Sequence, residues 1–239
     1  MRLSVLGSSS SGNGYILQNE SEAIVIECGC PLLDCEKKID FNLRKISGVL
    51  ITHEHKDHAK YAKQYASNGL KLFATEGTIL KIGGYGIVPL QLAKIHHIGK
   101  FNVYPFPVTH DAEQPCGFII DCPDGNRIVF ATDTQHLNYI IKDVSYFMIE
   151  CNYEDEVLEK NTKKGIVNIS VADRVRLSHM SLRRCLQTLK NNRLNNVKGI
   201  ILLHLSKDNS RGETMKQQIQ IKTGKMVYIA KKNFEIELL

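Results

Sequence analysis

Six consecutive positions, His53-Glu54-His55-Lys56-Asp57-His58, hold three histidines and an aspartate directly behind the apolar run Gly48-Val49-Leu50-Ile51-Thr52. β-Favouring residues after a glycine predict a buried strand over Val49–Thr52. Ala59, Ala62, Tyr65 and Ala66 then recur at helical spacing and Asn68-Gly69 fits a C-cap, so a helix is expected over Ala59–Ser67. The cluster therefore occupies a strand-to-helix loop. The strand end fixes the backbone, while the loop lets His53 and His55 point one way and Asp57 and His58 another, so that one tight loop can serve two neighbouring metal ions. Imidazole and carboxylate donors suit zinc, manganese or iron, whereas calcium and magnesium prefer all-oxygen shells. A solvated polar loop explains an isolated histidine better, but four ligand-type residues at this spacing favour metal.

The rest of the chain supplies a scaffold. Strands are expected at Leu3–Leu6, Tyr15–Leu17, Ala23–Ile26, Leu72–Ala74, Val103–Val108, Phe118–Ile120, Ile128–Ala131, Tyr146–Ile149, Gly199–Leu203, Met226–Ile229 and Phe234–Glu237. Helical patterns fall at Thr75–Lys81, Glu154–Asn161, Ser181–Asn191 and Gly212–Thr223. Many strands with interspersed helices imply α/β or α+β layering. No linker divides the chain and no solenoid repeat is visible, so 239 residues are read as a single domain. The segment Gly7–Gly14, GSSSSGNG, joins two apolar strands; its amides and hydroxyls could hold a phosphate or form a plain surface turn.

The amino terminus lacks an apolar signal core, no run reaches membrane-spanning length, and no lipidation motif is seen, so a cytoplasmic protein without membrane contact is expected. Seven scattered cysteines then stay reduced, and Glu27-Cys28-Gly29-Cys30 lacks the paired spacing of a zinc site. The net charge of +6 is unevenly spread: Asp173 to Lys198 carries seven basic residues against one acid, and Lys207 to Lys232 seven against two. Such a surplus would attract a polyanion, or be a solvated helix face.

One loop cannot saturate two metals. His110, Asp133 and His204 each stand at or near the end of an apolar run, and strand ends gathered at one sheet edge are where rigid scaffolds present reactive groups. The order HxHxDH, then His, Asp and His, resembles the metallo-β-lactamase superfamily. That resemblance implies an α+β, four-layer αββα sandwich with a dinuclear site: His53, His55 and His110 on one metal, Asp57, His58 and His204 on the other, Asp133 bridging. Further segments, GSSSSGNGYIL, VTHDAEQPCGFII, ATDT, IECNY, LSHMS and LLHLSKDNS, are similar in order to the YycJ/WalJ-type hydrolases on the nuclease and phosphodiesterase side of the superfamily. Glu27 departs from the aspartate usual in the superfamily, and Gly14 from a frequent cysteine.

Two divalent cations, zinc first with manganese or iron as alternatives, can stabilise a bridging hydroxide and grip attacking and leaving oxygens. The ligands alone do not choose between phosphodiesters, esters and amides. Resemblance to ribonuclease Z relatives pairs His179 with Glu150, and a histidine beside a carboxylate keeps its proton for a leaving alkoxide. Asp57, His179 and Glu150 are thus the expected catalytic residues, and Ser9, Ser10, Asn13, Ser206, Lys207 and Asn209 the expected substrate contacts. His136 is read as a cleft or helix-surface residue, and His96 and His97 as loop or strand-edge residues. The resemblance implies a nucleic-acid phosphodiesterase, a DNA exonuclease. A hydrolase of small cyclic phosphodiesters, thioesters or lactones, and a non-catalytic nucleic-acid-binding module, remain open alternatives.

Overall fold

A computed structural model describes residues 1–84 and 86–239, which form two compact units. Unit 1 comprises Met1–Pro107, Ala112–Asn126 and Ala230–Leu239; unit 2 comprises Val108–Asp111 and Arg127–Ile229.

Unit 1 opens with an antiparallel meander, β1 (Arg2–Ser9), β2 (Gly12–Gln18) and β3 (Ala23–Ile26). The serine-rich segment is the hairpin tip: Ser9 pairs with Gly12, leaving Ser10 and Ser11 as an exposed turn. Helix α1 (Leu32–Lys38) follows, then β4 (Ile46–Leu50), which pairs parallel to β3. β4 is apolar on both faces, as a strand covered on both sides must be. It stops before Thr52, whose backbone N–H turns instead to the Glu27 carboxylate at 3.3 Å.

The helix expected over Ala59–Ser67 is two short ones, α2 (Lys56–Ala59) and α3 (Ala62–Ser67). A continuous helix would bond the Tyr61 N–H to the Asp57 carbonyl. Here Tyr61 N donates to the Cys28 carbonyl at 3.0 Å, and the helix breaks. After α3, Gly69 takes the left-handed backbone expected at the C-terminal stop (φ 82°). Then come β5 (Leu72–Ala74), α4 (Glu76–Ile82), β6 (Val88–Pro89), β7 (His96–Ile98), β8 (Phe101–Pro107) and β9 (Cys116–Asp121). β7, β8 and β9 run antiparallel.

Unit 2 is a parallel sheet with helices: β10 (Arg127–Ala131), β11 (Tyr146–Glu150), α5 (Asp155–Lys163), α6 (Ile169–Ser178), α7 (Leu182–Asn191), β12 (Gly199–Leu203), α8 (Gly212–Thr223) and β13 (Met226–Ile229). β10 to β13 pair in that order, all parallel. Helix α6 escaped the sequence reading because Ile169, Val171 and Leu177 stay exposed and leave no apolar stripe. Finally β14 (Glu235–Glu237) returns to unit 1 and pairs with β1, completing the order β14-β1-β2-β3-β4-β5-β6.

All seven cysteines are free thiols. Burial, with the negative charge of Asp34 adding to it, pushes the Cys30 thiol up to about 11. Thiolate chemistry at the Glu27–Cys30 segment is therefore disfavoured. Among the described residues no helix is long and apolar enough to cross a membrane.

Candidate functional site

In unit 1 the loop after β4 gathers its donors tightly: the His53 ring centroid lies 4.7 Å from that of His55 and 4.1 Å from that of His58. His53 and His58 are buried, while His55 and Asp57 are partly exposed. One carboxylate organises two of these rings. The Thr52 hydroxyl donates to Glu27 Oε1 at 2.5 Å, so its oxygen accepts from His53 Nδ1 at 2.8 Å. His58 Nδ1 lies 3.3 Å from the same Glu27 oxygen. The Thr52 contact places the His53 proton on Nδ1 and leaves an Nε2 lone pair, the kind of outer partner that orients metal ligands, and the Asn13 amide, 3.1 Å from His58 Nε2, meets that nitrogen as an acceptor. Glu27 is fully buried in the left-handed region at φ 66°, a conformation costly for a non-glycine residue and common at functional sites.

Asn13, expected at the substrate, is buried beneath this loop; Ser9 is partly exposed and Ser10 exposed. His96 and His97 lie on β7, where His97 Nδ1 meets Asn102 Oδ1 at 2.7 Å. Of the loop and strand-edge positions expected of them, the strand is the one found.

In unit 2, strand ends deliver the donors. Asp133 follows β10, Glu150 ends β11 and His204 follows β12, three neighbouring parallel strands. Parallel pairing brings their carboxyl ends to one edge, where such sheets carry ligand sites. Asp133 and His204 both take left-handed backbone, φ 48° and 52°. Ligand atoms of Asp133, Glu150, His179 and His204 all lie within 4.8 Å of one another. His204 Nδ1 stands 3.0 Å from Asp133 Oδ1 and 3.4 Å from Glu150 Oε1, while Asn152 holds the His204 carbonyl at 2.7 Å. His110 donates from Nδ1 to the Ser178 carbonyl at 2.9 Å and turns Nε2 toward Asp133 Oδ2, 3.7 Å away. Burial, against the pull of Asp133, lowers the His110 pKa and keeps the ring neutral, as a ligand requires.

His179, at the C-cap of α6, donates from Nδ1 to Glu150 Oε1 at 2.7 Å, and Glu150 Oε2 accepts the Thr134 and Met180 backbone N–H groups at 2.9 and 3.1 Å. Burial opposes charge on His179, but the Glu150 charge and hydrogen bond outweigh it and raise its pKa. Burial opposes charge on Glu150 too, and its charge interaction with His179 and the hydrogen bonds from His179 and His204 outweigh this, lowering its pKa. Both directions describe a stabilised ion pair.

Ser206 is partly exposed, Lys207 exposed, and Asn209 buried with its Oδ1 accepting from Asn161 at 3.0 Å. His136 is partly exposed beside Gln135. Thr52 and Asn152, which hold His53 and His204, were not singled out from sequence; a polar residue one or two positions from a strand-end histidine or carboxylate was the signal.

The nitrogen and carboxylate donors of both units suit first-row divalent ions. The β-lactamase superfamily domain matches residues 35–205. The chain belongs to this family. It is 24% identical over 237 residues to an exodeoxyribonuclease YycJ of Bacillus anthracis, covering 92% of this chain and 88% of that one. It is 25% identical over 229 residues to an exodeoxyribonuclease WalJ of Streptococcus pneumoniae serotype 2, covering 87% and 83%. The metallo-β-lactamase fold protein YhfI of Bacillus subtilis overlays with a TM-score of 0.76 at 15% identity, covering 99% of both chains. The expected α+β metallo-β-lactamase fold class is the one found, and the chain belongs to a metallo-hydrolase family, with groups of His and Asp that could hold a divalent metal.

Proposed function

We propose that the chain acts as one metallo-β-lactamase-like domain in the cytoplasm, a dinuclear metal-dependent phosphodiesterase that removes nucleotides from DNA ends. In this reading His53, His55 and His110 hold one divalent ion, Asp57, His58 and His204 the other, and Asp133 bridges, with zinc the first choice and manganese or iron next. When bound, the pair supplies a water of lowered pKa and neutralises phosphate charge. Thr52, held by Glu27, fixes the Nε2-ligand tautomer of His53, and the Glu27 carboxylate stands 3.3 Å from His58 Nδ1. His179 supplies the proton that the leaving alkoxide needs, and Glu150 keeps that proton on the ring and orients it. Ser9, Ser10, Ser206 and Lys207 lie on segments that would meet the phosphodiester backbone.

The observation that carries this reading is the 2.7 Å His179–Glu150 pair beside Asp133 and His204. Alkoxide departure needs an acid, whereas thioester cleavage releases a thiolate that leaves without one. Similarity to two exodeoxyribonucleases supports DNA as substrate. The test is a panel of end-labelled single- and double-stranded DNA, bis-p-nitrophenyl phosphate, a thioester and a lactone, with each metal. Stepwise release from one DNA end is expected. Rapid thioester or lactone cleavage with no phosphodiester turnover would overturn the reading, and binding of DNA without any turnover would make the protein a binding module.

A further inference from the structure

Asn13 stands at the start of β2, just behind the serine turn, and is fully buried. Its Nδ2 lies 3.2 Å from the Ser9 carbonyl, 3.4 Å from the Asp57 carbonyl, 3.3 Å from Asp57 Oδ2 and 3.1 Å from His58 Nε2. The Tyr15 hydroxyl, 2.8 Å from Ser8 Oγ, also points at Asn13 Oδ1 at 3.3 Å. The Ser9 and Asp57 carbonyls, which only accept, decide which way the amide faces: nitrogen toward them and the metal-ligand loop, oxygen toward the phenol.

Two features of the loop call for such a donor. First, the break between α2 and α3 takes the Tyr61 N–H to Cys28, and the Asn13 amide stands 3.4 Å from the Asp57 carbonyl to which a continuous helix would have bound that N–H. The backbone is tight here: Gly29 N donates to the Asn13 carbonyl at 3.0 Å, and a Cβ on Gly29 would collide with the Asp57 carbonyl. Second, His58 Nε2 lies 3.3 Å from Asp57 Oδ2, and the Asn13 amide nitrogen, which can only donate, meets it as an acceptor. Two acceptors that close repel unless a positive group stands near both.

We infer that Asn13 is a positioning residue for the Asp57/His58 metal position: its amide hydrogens hold the Asp57 carboxylate and the His58 Nε2 lone pair aimed at a common point before a cation takes them over. The Ser9 and Asp57 carbonyls keep the amide in place once those lone pairs are taken. The serine-rich hairpin thereby serves as a brace behind the ligand loop. This rests on the metal reading of Asp57 and His58 and is independent of the substrate.

The test is stepwise titration of metal-free full-length protein with Co(II), followed by its visible spectrum, and with Zn(II) against a chelator of known affinity. Wild type is expected to bind in two steps. Asn13→Ala should weaken one step about 10- to 100-fold and alter the Co(II) spectrum of that step, with the other step changed far less. Tyr15→Phe, which keeps the packing ring and removes the hydroxyl's contacts with Asn13 and Ser8, should weaken the same step on the order of threefold. Ser11→Ala, on the exposed turn, should bind as wild type. Equal weakening of both steps in Asn13→Ala and Tyr15→Phe would mean general destabilisation and overturn the assignment, as would wild-type affinities in both. A wild type that binds no metal would remove the metal reading itself, whereas two-step binding without DNA cleavage would remove only the substrate.

Discussion

Unit 1 gathers His53, His55, Asp57 and His58 from one short loop and the start of α2, with Glu27, Thr52 and Asn13 packed against them. Unit 2 gathers His110, Asp133, Glu150, His179 and His204 from five separate segments. The first set is held largely by backbone geometry and one buried carboxylate. The second is a network of two buried carboxylates and three histidines, in which each group's charge depends on its neighbours. The comparison draws a division: the local set presents ligand-type donors from one loop, and the assembled set adds the His179–Glu150 pair, which under the proposed function delivers a proton.

Five substitutions break or sharpen that division. Asp133→Ala should have the largest effect, taking DNA turnover to the level without enzyme and lowering bound metal by elemental analysis; full metal content with activity would exclude Asp133 as a bridging ligand. Next, His179→Ala should lower kcat about 10²- to 10⁴-fold while metal content stays unchanged. A parallel loss of metal would place His179 among the ligands and dissolve the division. Glu27→Gln keeps shape but removes the charge facing His58 and Thr52, and metal affinity should fall about 10- to 100-fold by chelator competition.

Glu150→Gln tests the proton. The wild-type His179 pKa is raised, so its acid form persists to higher pH, and kcat/KM falls as pH rises through that raised value. Without the Glu150 charge, burial prevails and the alkaline limb should move to lower pH; an unmoved limb would assign it to another group. Lys207→Ala should be the smallest, a modest rise in KM and a loss of about one unit in the salt slope of DNA binding. An unchanged slope would detach this loop from the phosphates.

The fold was legible where burial and periodicity coincide. β3, β5, β12, α8 and β13 match their expected limits because their apolar patterns end where turn residues begin. α1 escaped notice because only Leu32 and Cys35 are buried on it, and β7 because it pairs only with β8 and needs little apolar character. The α2–α3 break was not legible, since its cause is a hydrogen bond to Cys28, far off in sequence. Ligand types in unit 1 could be read from spacing; those of unit 2 needed strand-end positions, and the His179–Glu150 pairing needed resemblance to relatives.

Sequence by itself determined the donor chemistry, the strand ends that carry it and the membership of a metallo-hydrolase family, because residue type and local periodicity are properties of contiguous chain. Tertiary structure alone decided how those donors are arranged: Glu27 beside both Thr52 and His58, Asn13 within hydrogen-bonding distance of Asp57 and His58, and Glu150 joined to both His179 and His204. Tautomers and proton affinities depend on partners a few ångströms away, and those partners are brought there only when distant segments fold together.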